Sequence, residues 1–133
     1  MVWTLFMDMY SGGDRKEKWP LIFIEAPQEE AEIIFQNRFG HNPHRVSCTC
    51  CGEDYMVDEY DSLENATAFY RGCEYDEEEN KYIEEPAKQN WGHPYKTLEE
   101  YLAAENALVI YEKDIKPEER KGSLKTQGYV WID

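Results

Sequence analysis

The sequence predicts an α+β domain: a mostly antiparallel sheet with two to three helices packed on one face, and a cysteine-rich loop. Three observations predict it. Short strand-like runs alternate with segments of helical periodicity, and turn residues separate them. No apolar run approaches the ~20 residues of a membrane span. The 133 residues, 41% hydrophobic, are enough for one core, so residues 1–133 are expected to form a single domain.

Residues 2 to 10 alternate, with Trp3, Leu5, Met7 and Met9 on one side and Thr4, Asp8 and Tyr10 on the other, which is a strand pattern. The charged, glycine-containing stretch SGGDRKEK reads as a solvated loop. It lacks the spacing of a phosphate loop despite Arg15, Lys16 and Lys18. LIFIE (21–25) is a buried strand pairing with the first as a hairpin.

Pro27 opens a helix, with Gln28, Glu29 and Glu30 at its positive end, an apolar stripe of Ala31, Ile34, Phe35 and Phe39, and Gly40 as terminator. YMVDEY (55–60) is a strand. Asp61 or Ser62 caps a helix over 63 to 71, with Leu63, Ala66 and Tyr70 inward. Residues 73 to 94 form an acidic excursion with at most one short strand, at Lys81–Ile83. Thr97 and Glu100 make a capping box for a helix over 98 to 105. ALVIYE (107–112) is a strand, IKPEER a turn or single helical turn, and GYVWI (128–132) a closing strand.

The net charge of -14 is concentrated. Residues 53 to 85 hold thirteen acids against Arg71 and Lys81, a net of -11, and the remainder carries -3. Such a field repels nucleic acid and membrane surfaces and attracts basic partners, so neither nucleic acid nor membrane is an expected direct ligand. The aromatic share of 14% separates the chain from disordered acidic tails. MVWTLFMDMY lacks the basic start and cleavage site of a signal peptide, which places the chain in the cytoplasm, where thiols stay reduced.

Cys48-Thr49-Cys50-Cys51-Gly52 contains C-x-x-C-G, a knuckle in which two thiolates chelate one ion and glycine allows the tight turn. The expected ligands of a structural zinc are Cys48 and Cys51, with Cys73, Cys50 and His44 to complete the set, and His41 or His93 as alternatives. Without a second C-x-x-C, a set of buried reduced thiols is the competing reading. Catalysis by this cluster is disfavoured. The H-x-E and P-C-x-x-C pair of zinc deaminases is missing, and the acidic run from Glu53 raises thiol pKa values. The chain is therefore expected not to be an enzyme.

The segments WTLFMDMYSGGDRKEKW, IFIEAPQEEAEIIFQNRFGHNPHRVSCTCCGEDY, IKPEER and GYVWID resemble a family of small proteins encoded by tailed bacteriophages, with FGHNPxRVxCTCCGxDY as the most specific stretch. The resemblance implies a phage or prophage setting and the cytoplasm of a bacterial host. It carries over no catalytic residue. Members often replace Tyr10, and the region from Glu74 to Lys96 varies among them.

Charge and setting together suggest an inhibitor that blocks a host defence protein of the CRISPR or restriction type by occupying its basic nucleic-acid-binding surface. The residues expected to do so are Glu53, Asp54, Asp58, Glu59, Asp61, Asp76, Glu77, Glu78 and Glu79, with Trp91 as an aromatic anchor. The alternative is a zinc-stabilised adaptor acting on host transcription or replication.

Overall fold

Four consecutive apolar residues, Leu21 to Ile24, form a strand that is buried on both faces, and the rest of the domain is arranged around it. The computed structural model describes residues 2–9, 17–46, 52–88 and 94–124. In it β1 (Trp3–Asp8) and β2 (Leu21–Ile24) pair antiparallel, from Thr4 opposite Ile24 to Met7 opposite Leu21. After α1 (Gln28–Phe39), β3 (Tyr55–Tyr60) pairs with the other edge of β1, from Trp3 opposite Tyr60 to Asp8 opposite Tyr55. Next come α2 (Leu63–Thr67), β4 (Cys73–Asp76), β5 (Lys81–Pro86), α3 (Leu98–Ala104) and β6 (Leu108–Ile110). β6 runs parallel to β2, giving the sheet order β3-β1-β2-β6.

The α+β class is as expected, but the helices do not share one face. Ala31, Ile34 and Phe35 of α1 pack on Phe6, Ile22, Ile24 and Tyr55, and Phe6 stacks on Phe35 at 4.6 Å. Leu63 and Ala66 of α2 and Tyr101 of α3 cover Trp3, Leu5, Leu21 and Phe23 on the opposite face. The cause lies in β1 and β2. Phe6 breaks the polar side of β1, and β2 has no polar side at all, so one layer of helices would leave Phe6, Ile22 and Ile24 in water.

α1 ends as its sequence dictates, with Gly40 left-handed (φ 86°) and donating its N–H to the Gln36 carbonyl at 2.8 Å. The capping box of α3 forms in both directions between Thr97 and Glu100. α2 is shorter than expected. Ser62 caps it through the Asn65 N–H (3.0 Å), but it ends at Thr67, which puts Tyr70 outside instead of inward. The strand expected over 107–112 is confined to Leu108–Ile110, and Pro117–Arg120 is a single 3-10 turn. The expected closing strand at 128–132 lies outside the described residues.

The acidic excursion holds two strands where at most one was expected. β4 and β5 form a separate hairpin, with Tyr75 opposite Tyr82 and Asp76 opposite Lys81. Its tip is built from the acidic residues themselves. Asp76 Oδ1 accepts from the N–H groups of Glu78 (3.0 Å) and Glu79 (3.2 Å), and Asn80 takes the left-handed conformation (φ 53°) that closes the turn.

Arg71 joins this hairpin to the body. Its guanidinium is fully buried and all five N–H groups are used. Nε donates to Thr67 Oγ1 (2.7 Å), Nη1 to Glu84 Oε2 (2.7 Å) and the Lys96 carbonyl (3.4 Å), and Nη2 to Glu84 Oε1 and the Glu64 carbonyl (2.9 Å). One side chain thus pins α2, β5 and the approach to α3.

Candidate functional site

The cysteine loop leaves the body between two paired rungs. At the inner rung the Asp54 N–H donates to the Arg45 carbonyl (2.8 Å) and Arg45 Nε donates to Asp54 Oδ2 (2.9 Å). At the outer rung His44 Nδ1 meets Glu53 Oε1 at 2.9 Å, while its Nε2 meets Glu32 of α1. Cys48, Cys50 and Cys51 lie between these rungs in sequence and outside the described residues, as does His93.

His44 is poorly suited to hold a metal in this arrangement. A ligand histidine offers a lone pair, but both His44 nitrogens face carboxylates and serve best as N–H donors of an imidazolium. Burial lowers its pKa, but hydrogen bonds to Glu53 and Glu32 outweigh that and the net shift is upward.

Cys73 is also displaced from the expected ligand set. It follows α2, its N–H bonds to the Ala68 carbonyl, and its thiol is pushed up mainly by burial. The charged neighbours of Cys73 are Arg71 and Glu84, whereas His44 is held by Glu32 and Glu53. The two do not converge on one ion, and Cys73 fits a packed, protonated thiol.

His41 is better placed. Its Nε2 lies 3.2 Å from Glu17 Oε2, its ring meets Phe35 edge-on at 5.4 Å, and it lies alongside Tyr55 at 6.1 Å. Its Nδ1 and the Tyr55 hydroxyl are buried without a hydrogen-bond partner among the described residues. A carboxylate holding Nε2–H leaves the lone pair on Nδ1, the tautomer a metal ligand requires. Among the described residues no three His, Cys, Asp or Glu side chains gather as a metal site, so a metal would need the loop thiols.

The acidic residues expected to form one face divide into two groups. Asp54 is fully buried on Arg45, so it cannot reach a partner. Glu59 accepts the Gln28 N–H (2.7 Å) at the start of α1, replacing a side-chain cap that Pro27 cannot supply. Glu53 holds His44, and Asp58 is half-buried on the edge strand β3. These four carboxylates are tied into the fold or sunk in it.

The other group faces water. Asp61 precedes α2, Asp76 organises the hairpin turn, and Glu77, Glu78 and Glu79 stand exposed at its tip without an ion-pair partner among the described residues. Trp91 lies outside the described residues. The sequence reading missed the aromatics that accompany these acids: Phe69, Tyr70 and Tyr75 are 50%, 42% and 41% exposed. The end of α2 at Thr67 is what exposes Phe69 and Tyr70, and no periodicity signals that.

No family model, curated protein or solved structure matches this chain. No helix among the described residues is long and apolar enough to cross a membrane.

Proposed function

We propose that the protein is a non-catalytic inhibitor that uses the acidic β4–β5 hairpin to occupy the basic nucleic-acid-binding surface of a host defence protein. One observation carries this reading. The densest run of negative charge in the chain, Asp76 to Glu79, sits at the tip of a hairpin anchored by Arg71 and makes no ion pair among the described residues. A solvated charge run needs no such mounting, whereas a docking element gains from being ordered before it binds. Exposed Tyr75 beside it adds the aromatic contact that interfaces favour. The phage setting implied by the resemblance supplies the choice of target class.

The test is displacement of labelled duplex DNA or RNA from a panel of restriction nucleases and CRISPR effectors at ~50 mM salt, where charge contacts are strongest. Release from at least one member supports the reading. No release from any member at that ionic strength counts against it.

A second reading, a zinc-stabilised adaptor of host transcription or replication, is favoured by the unpartnered Nδ1 of His41 near the base of the cysteine loop. Cys48 and Cys51 would supply thiolates and His41 the imidazole, and the zinc would serve to fix the loop. Metal analysis of protein purified without chelator decides it. Stoichiometric zinc, lost in His41→Ala and kept in His44→Ala, supports it, and its absence from wild type removes the premise.

A further inference from the structure

Between α2 and the hairpin lies a cleft of about 420 Å³. Asp61 and Glu64 line one wall, and Tyr75, Lys81, Tyr82 and Glu84 line the other. The two tyrosine rings meet edge to face, 5.1 Å between centroids and 75° between planes, so they form a firm aromatic side.

The charges of the cleft are unequal in availability. Both carboxylate oxygens of Glu84 are taken by Arg71, so Glu84 adds little net field. Asp61 and Glu64 have no ion-pair partner among the described residues. Lys81 is the cleft's own cation among the described residues, and it is also unpaired.

Two uncompensated carboxylates facing phenol rings select the chemistry of a guest. An anion is repelled, and an apolar guest would strip water from the carboxylates without replacing it. A guanidinium satisfies both walls, because it bonds carboxylates through a planar fork and stacks on aromatic faces more readily than an ammonium does.

We propose that this cleft receives an arginine side chain of the basic partner, with the guanidinium on Asp61 and Glu64 and its face against the tyrosines. The inference rests on the reading of the acidic hairpin as a protein-binding element, and it identifies the residue type that the partner inserts. Lys81 then acts as a brake on binding, since its charge opposes the guest.

The experiment is an NMR titration of the full chain with the capped peptide Gly-Arg-Gly-Gly-Arg-Gly, its lysine counterpart and its citrulline counterpart. The expected result is that the arginine peptide shifts the Asp61, Glu64, Tyr75 and Tyr82 resonances, the lysine peptide binds more weakly and the citrulline peptide does not bind. Asp61→Asn with Glu64→Gln should weaken the arginine peptide ~5-fold, and Lys81→Gln should tighten it ~3-fold, the scale of single charge pairs at low salt. Equal binding of citrulline, equal binding of lysine, or no effect of these substitutions overturns the proposal. Shifts confined to Glu77–Glu79 overturn the cleft while leaving the acidic-hairpin reading standing. Arginine binding in the cleft without any displacement of nucleic acid from the panel would have the reverse meaning.

Discussion

Arg71 and Glu84 form a two-pronged ion pair in which the guanidinium is wholly buried and the carboxylate is half exposed. The pair spans the junction between α2 and β5, so the acidic hairpin is held by the one arginine within the acidic stretch from residue 53 to 85. Arg71→Ala removes every guanidinium link at that junction, though the backbone bonds such as Lys96 N–H to the Arg71 carbonyl remain, and leaves Thr67 and two backbone carbonyls short of donors. The expected loss is ~3–5 kcal/mol in urea denaturation, the scale for breaking a buried charged network. Glu84→Gln keeps the shape but leaves the buried guanidinium without its counter-charge, so it should cost ~2 kcal/mol, less than the alanine because water reaches the half-exposed end of the pair. Equal losses in the two variants would contradict the hub role of Arg71.

The last described segment is fastened along α1. Arg38 grips both oxygens of Glu119 (2.8 Å each), Asn37 Nδ2 donates to the carbonyls of Glu119 and Lys121, and Arg120 pairs with Glu30. The hydrogen bond from Arg38 is the main reason the Glu119 carboxyl lies at about 2 against an ordinary 4.5. A carboxyl with a depressed folded value contributes stability that is complete above its unfolded value and is lost as pH falls through the folded one. Stability should therefore decline between about pH 4.5 and pH 2, and Glu119→Gln should flatten part of that decline while costing ~1 kcal/mol at neutral pH. Thermal melts across that range measure it.

His44 makes the opposite prediction. Its folded pKa is raised above the ordinary 6.5 by its two carboxylate partners, so its contribution is fully present below 6.5 and disappears as pH rises through the folded value. NMR titration of the His44 ring should show that elevation, and His44→Gln should abolish it together with the alkaline loss of stability. A ring titrating at or below its ordinary value would contradict the double pairing with Glu32 and Glu53.

Asn80 tests the hairpin tip. At φ 53° a β-branched side chain is strained, so Asn80→Val should cost ~1–2 kcal/mol and loosen the tip, while Asn80→Gly should be nearly neutral. Hydrogen exchange at Glu78 and Glu79, whose N–H groups bond to Asp76, reads the effect locally.

Much of the main sheet and its helices was legible in local pattern. β3 falls exactly where YMVDEY placed it, α1 runs to its glycine stop, and the Thr97–Glu100 box starts α3. The placement of helices on both faces is also encoded in the unbroken LIFI run, which has no polar side. The β4–β5 hairpin was hidden because its strands bury little and are held by the Arg71–Glu84 and Tyr75–Tyr82 contacts, pairings across the turn that no periodicity within one strand signals. The same is true of the candidate site. Composition located the negative charge, but only the fold distinguishes Asp54 and Glu59, consumed by Arg45 and the start of α1, from Glu77 to Glu79, which are not.

The most direct test of the central claim compares wild type with the Asp76→Asn, Glu77→Gln, Glu78→Gln, Glu79→Gln variant in displacing labelled nucleic acid from basic defence proteins as salt is raised. The account predicts that wild type displaces at ~50 mM salt, that its apparent affinity falls steeply toward ~500 mM, and that the variant is at least ~10-fold weaker with a flatter salt dependence. Equal displacement by the variant, or wild-type displacement indifferent to salt, would contradict it.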